Sequence, residues 1–115
     1  MPWLRLPAVV VLALAASAAS AHAHLTASSP ADDETLTSAP RTLVLEFSED
    51  ASLTALGLQG PGGAQQKLAP LPSAAAARVS VPLPPLAAGD YVVTWRALGA
   101  DGHLTSGRIR FHLAQ

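Results

Sequence analysis

Four residues of metal-binding type stand where they could meet: His22 and His24 near the start of the chain, Asp101 and His103 far along it. Cleavage after Ala21, behind the small residues Ala19-Ser20-Ala21, would make His22 the first residue and give it a free α-amine beside its imidazole. An amine and an imidazole both release their protons near neutral pH at little cost, and two nitrogens of one residue can close a chelate ring on a single ion. Asp101 and His103, joined through Gly102, can turn toward the same point and add a carboxylate oxygen and a further nitrogen. Three nitrogens and one oxygen in a tetragonal set favour Cu(II), which also heads the divalent affinity order. Zinc accepts the same atoms in a tetrahedron.

The same residues have other readings. In a chain beginning His22-Ala23-His24, the amine, two backbone amides and the ring of His24 can wrap Cu(II) or Ni(II) without help from the fold. That mode competes with the first for the amine. Cleavage after Ala23 would instead make His24 the leading residue, so either cut exposes a histidine. Asp101-Gly102 is also an ordinary hairpin-turn dipeptide, and terminal histidines can simply fray. Glu49 and Arg96 are candidates to hold a ligand from behind, since metal-bound histidines donate their other N–H to an acceptor. His112 lies between Arg110 and the chain's last residues on an outward face, where nearby positive charge opposes a cation, and reads as surface. The run Asp32-Asp33-Glu34 lacks the spacing of a calcium loop and reads as a solvated turn.

Residues 1–21 carry a basic start at Arg5, an apolar run from Ala8 to Ala16 and small residues before the cut, the three parts of a secretory signal. Ser17, Ser20 and His22 interrupt the run well short of the roughly 20 apolar residues a bilayer span needs. The expected mature unit is therefore residues 22–115, one small exported domain. Its seven Lys and Arg lose Arg5, leaving six against eight carboxylates, a formal charge of −2 that offers nucleic acid no attraction. The chain has no cysteine and its one methionine is Met1, so soft sulfur ligands are absent after processing and no disulfide supports the core.

The elements that must carry these residues alternate with period two. Leu43, Leu45 and Phe47 predict a half-buried strand that Ser48-Glu49-Asp50 ends as a turn, with a second strand over Leu53 to Leu58. Gly60-Pro61-Gly62-Gly63 marks a turn, Gln66 to Leu68 a weak pairing, and Pro70 to Ala77 a connection. Arg78 to Leu83 alternates up to Pro82, which places it at an edge or at its own end. Tyr91, Val93 and Trp95 line one face of a further strand, so Trp95 reads as core; Ile109, Phe111 and Leu113 line another, with Arg108, Arg110 and His112 outward. The segment from Leu25 to Pro40 is small and polar, with no strand assigned. Short strands with Pro and Gly corners and no convincing helix indicate an all-β sandwich or barrel.

Several stretches together resemble the CopC family of copper-resistance proteins: His22-Ala23-His24-Leu25 with Ser28-Ser29-Pro30-Ala31, Leu45-Glu46-Phe47-Ser48-Glu49, Gly89-Asp90-Tyr91-Val92-Val93-Thr94-Trp95-Arg96, and Asp101-Gly102-His103 before a Gly107-to-Phe111 strand. The resemblance implies a seven-stranded Greek-key sandwich or barrel, cupredoxin-like and related in outline to immunoglobulin domains. It implies a Cu(II) site on His22, Asp101 and His103, with Glu49 as the strand-end glutamate near it and His24 as an alternative ligand. It implies periplasmic location and a CopD-type inner-membrane transporter as a partner. Methionine-rich Cu(I) sites of some relatives have no counterpart here, so a Cu(II)-only protein is implied. Two rival functions stand beside this: a small copper oxygenase with an N-terminal histidine brace, and a metal-free structural sandwich.

Overall fold

The computed structural model describes residues 22–114. Seven strands follow in order: β1 (Leu25–Ser29), β2 (Glu34–Leu36), β3 (Thr42–Gln59), β4 (Gln65–Lys67), β5 (Ala76–Pro82), β6 (Gly89–Gly99) and β7 (Leu104–Leu113), with a short 3-10 turn at Pro61–Gly63. The all-β expectation is met.

β3 organises the rest. Its first half pairs antiparallel with β1 on one side, from Leu25↔Phe47 to Ser29↔Val44, and with β5 on the other, from Thr42↔Pro82 to Glu46↔Arg78. Its second half pairs with β6 from Ala51↔Gly99 to Gln59↔Val92, and with β4 at Gly57↔Lys67. One strand thus serves two layers, and the sheet curls on itself around a shared core. The turn expected at Ser48-Glu49-Asp50 is not there: those residues are exposed positions within an 18-residue strand where it passes from one layer to the other. A polar run interrupts the apolar alternation in the same way whether the chain turns back or bends onward, so the pattern alone misassigned it.

A second irregularity lies at Thr54, between the pairs Leu53↔Ala97 and Ala55↔Arg96. An extra residue in one strand moves every later side chain to the opposite face. The buried set accordingly shifts from Leu43, Leu45, Phe47, Ala51 and Leu53 to Leu56 and Leu58. Thr54 Oγ1 donates to the Arg96 carbonyl at 3.3 Å across the bulge.

β6 and β7 form a long hairpin from Gly89↔Leu113 to Leu98↔Leu104. Their inward residues include those the alternation named, Tyr91, Val93 and Trp95 from β6 and Ile109, Phe111 and Leu113 from β7, and Ala97 of β6 joins them. Phe47 meets Trp95 edge to face at 5.5 Å between ring centres, and Tyr91 stacks on Phe111 at 5.2 Å. Such pairs add specific geometry to the burial that drives the fold.

β1 and β2 escaped the sequence reading because neither strand has a fully buried residue to set a period. β2 instead lies parallel to β7, from Glu34↔Phe111 to Leu36↔Leu113. The acidic run before it is not merely solvated. Asp32 Oδ1 accepts the Arg110 N–H at 2.9 Å and the Asp33 N–H donates to the Arg110 carbonyl at 2.6 Å, which docks the loop on β7.

Candidate metal centre

Beyond the Leu98↔Leu104 pair the hairpin closes through Gly99-Ala100-Asp101-Gly102-His103. The Gly99 N–H donates to the His103 carbonyl at 2.9 Å and the Gly102 N–H to the Gly99 carbonyl at 3.0 Å. Gly102 has φ +84°, a conformation that side chains other than hydrogen resist. Asp101 fixes the loop with its own side chain: Oδ1 accepts the His103 N–H at 3.1 Å. A carboxylate bonded to the backbone two residues on is a common local device of Asp.

That leaves Oδ2 for other work. It lies 2.9 Å from His103 Nδ1 and 3.0 Å from His22 Nδ1, although 79 positions separate His22 from Asp101. The two imidazoles stand almost perpendicular, with ring centres 4.4 Å apart. The Asp101 side chain is 17% exposed, that of His22 43% and that of His103 64%. The three residues expected from sequence to share a site are thus adjacent in space.

Residue 22 reaches this loop because the next residues are tied down. Ala23 is 1% exposed and belongs to the core, and its carbonyl accepts the Thr105 hydroxyl at 3.1 Å. Gly99 lets it in: a Cβ there would stand 3.5 Å from the Ala23 nitrogen and 2.9 Å from Asp101 Oδ1. Leu25 is only half-buried, and Ala23 is the residue inserted into the core. Ser48 completes the attachment. The His24 N–H donates to its hydroxyl oxygen at 2.9 Å, the hydroxyl donates to the His22 carbonyl at 3.3 Å, and the Ser48 N–H donates to the His24 carbonyl at 2.8 Å. From sequence Ser48 reads only as the start of a turn, and no signal there points to contacts with residues 22 and 24.

The donor atoms suit a borderline cation. His22 Nδ1 is buried yet has no hydrogen bond of acceptable geometry, despite its closeness to the carboxylate. A buried polar atom without a partner is costly, and an ion between this nitrogen and the carboxylate would satisfy it. One atom each from His22, Asp101 and His103 lie within 4.8 Å of one another, the only such group of three or more among the described residues. Asp101 is also prepared to ligate as an anion. Its carboxyl sits below its ordinary value of 3.8, first because of the hydrogen bond from the His103 backbone N–H and then that with the His103 ring; partial burial opposes them, and lesser charge effects of His103 and His22 add to the lowering.

The other candidates are not part of this cluster. The His24 ring is exposed, its centre 6.2 Å from that of His22. Glu49 and Arg96 are exposed, and neither makes a side-chain hydrogen bond or ion pair with the triad. His112 is exposed as expected, with Nδ1 2.6 Å from Asp90 Oδ1 at the opposite end of the hairpin. Among the described residues no helix is long and apolar enough to cross a membrane. The expected signal, residues 1–21, lies outside the described residues.

Comparison with known proteins follows the same lines. The sequence model of the CopC domain matches residues 25–114. Copper resistance protein C of Escherichia coli is 34% identical over 102 residues, covering 76% of this chain and 77% of that protein. Protein YobA of Escherichia coli strain K12 is 32% identical over 92 residues, covering 76% of this chain and 74% of its own length. Among solved structures, CopC from Methylosinus trichosporium OB3b superposes with a TM-score of 0.69 at 24% identity, over 80% of this chain and 93% of that one. PcoC from Escherichia coli, described as a methionine-rich copper resistance protein, superposes with a TM-score of 0.61 at 29% identity, over 81% of this chain and 99% of that one. These likenesses bear out the seven-stranded, cupredoxin-like β-sandwich.

Proposed function

The chain belongs to the CopC family, and we propose that it is an exported periplasmic copper-resistance protein that binds one Cu(II) as cargo through His22, Asp101 and His103. The observation that carries this reading is the convergence of two imidazole nitrogens from distant parts of the chain on one carboxylate oxygen. Its weight comes from the unsatisfied Nδ1 of His22, which an ion would engage.

In this reading signal cleavage after Ala21 supplies the α-amine, and His22 holds copper by amine and ring together. Asp101 gives a hard anionic oxygen and His103 a third nitrogen, a set suited to Cu(II). The processed chain has no thioether or thiolate to favour Cu(I), in contrast to the relative described as methionine-rich. The protein sequesters copper or passes it to a CopD-type inner-membrane transporter. It acts as a carrier and not as an oxygenase, because Asp101 takes a position that oxygen chemistry needs open.

The test uses the secreted protein with its first residue fixed by intact mass. One equivalent of Cu(II) should bind with a tetragonal electron paramagnetic resonance spectrum and raise the melting temperature. A protein that gains neither, or that begins at a residue other than histidine, refutes the proposal. Sustained peroxide production with a reductant would assign it to the oxygenases instead.

A further inference from the structure

Resting on the copper reading above, we infer that Ser48 is a positioning residue that selects how the ion is held, by clasping the backbone of residues 22–24 so that they cannot wrap it. The rival wrap draws on the α-amine, the amide nitrogens of Ala23 and His24, and the ring of His24. It requires those residues to curl around the ion, with each amide proton displaced to solvent. Here the same backbone, just ahead of β1, is tied to Ser48 of β3 and to Thr105 of β7. The His24 nitrogen is committed to Ser48 Oγ at 2.9 Å, and the carbonyls of His22 and His24 accept from the Ser48 hydroxyl and N–H at 3.3 and 2.8 Å. Ala23, between them, is in the core with its carbonyl on Thr105. Wrapping would break the Ser48 bonds and lift Ala23 out of the sandwich. The clasp leaves the amine and ring of His22 to turn toward Asp101.

A hydroxyl is the group required, because one oxygen must accept from one residue and donate to another. Alanine can do neither and threonine can do both. A merely structural serine would alter stability without altering which nitrogens touch copper, and the test exploits that difference.

Processed wild type, Ser48→Ala, Ser48→Thr, and His24→Ala in each background are loaded with one equivalent of Cu(II) and compared by visible absorption, electron paramagnetic resonance and affinity. In wild type and Ser48→Thr, His24→Ala should leave the spectrum unchanged. In Ser48→Ala the d–d band should move to shorter wavelength, as deprotonated amides strengthen the ligand field. There His24→Ala should now weaken binding about tenfold, a coupling expected of neighbouring groups that share one ion. Hydrogen exchange of the copper-free wild type gives an independent reading: the His24 amide should exchange at least about tenfold more slowly than in an unstructured peptide. A Ser48→Ala spectrum that matches wild type overturns the clasp while the carrier stands. An unprotected His24 amide in wild type also overturns it, even where Ser48→Ala is too unstable to load. A wild type that already shows the wrapped spectrum refutes both, and a wild type that binds no copper refutes the carrier itself.

Discussion

The β6–β7 hairpin carries a histidine and an aspartate near each of its ends, and only one end has the makings of a metal centre. At the open end, Asp90 Oδ1 and His112 Nδ1 are 2.6 Å apart, but the aspartate is 89% exposed and no third ligand approaches among the described residues. At the closed end, Asp101 is 17% exposed, is bonded to the backbone of its own loop, and faces two imidazoles. The residue types are the same and the strands are the same. What differs is the third segment: residues 22–24, brought in by Ala23, Thr105 and Ser48, set an imidazole beside the aspartate, whereas β2, lying along β7 at the open end, adds no third ligand. A pair of side chains on one hairpin makes a surface contact, whereas a distant residue fixed by its own backbone turns the contact into a site.

Breaking the third segment should have the largest effect. One extra residue ahead of His22 in the processed protein converts the amine to an amide, and copper affinity should fall about 100-fold, ~2.8 kcal/mol at 1.4 kcal/mol per tenfold. Competition titration against a chelator of known strength measures it; an unchanged affinity would place the ion elsewhere. Next in size, Asp101→Ala or His103→Ala should each cost about tenfold in a chain that still begins at His22. Retention of full affinity in both would favour the wrapped terminus. At the other end of the hairpin, Asp90→Ala and His112→Ala should change copper affinity by less than about twofold, since an exposed pair contributes little. A fall in stoichiometry on removing either would erase the contrast.

The smallest effect is in the copper-free protein and concerns pH. Because the folded state holds the Asp101 carboxyl below 3.8, the unfolded chain takes up the proton first as acidity rises. The stabilisation is therefore complete above about 3.8 and is lost as pH falls through the lower folded value. Urea melts of wild type and Asp101→Asn should converge in that acid window and differ above it. A constant difference at all pH values would mean the carboxylate's charge is not what matters.

Much of this could be read in the residues. Period-two runs placed Leu43 to Phe47, Tyr91 to Trp95 and Ile109 to Leu113 correctly on inward faces, because half-buried strands write their burial into alternation. Asp101-Gly102-His103 was legible as both a turn and a ligand pair, and the structure makes it a turn that aims the pair. What stayed hidden depends on pairing across long separations. Nothing local to Ser48 reveals that its partners are 24 and 26 residues away. The corner of β3 has the same polarity as a turn, and β1 and β2 bury too little to announce themselves. Glu49, beside Ser48 on the corner, was the obvious charged candidate, yet its uncharged neighbour makes the contacts.

The passage of β3 from one layer into the other has a bearing on how cargo would leave. Since the same strand is stitched into β1 and β5 at one end and β4 and β6 at the other, opening either leaf of the sandwich would disturb a strand that its twin shares. If the ion is held as proposed, an incoming donor would meet it first on the His103 side, where the imidazole stands most open to solvent, with the barrel acting as a fixed stand.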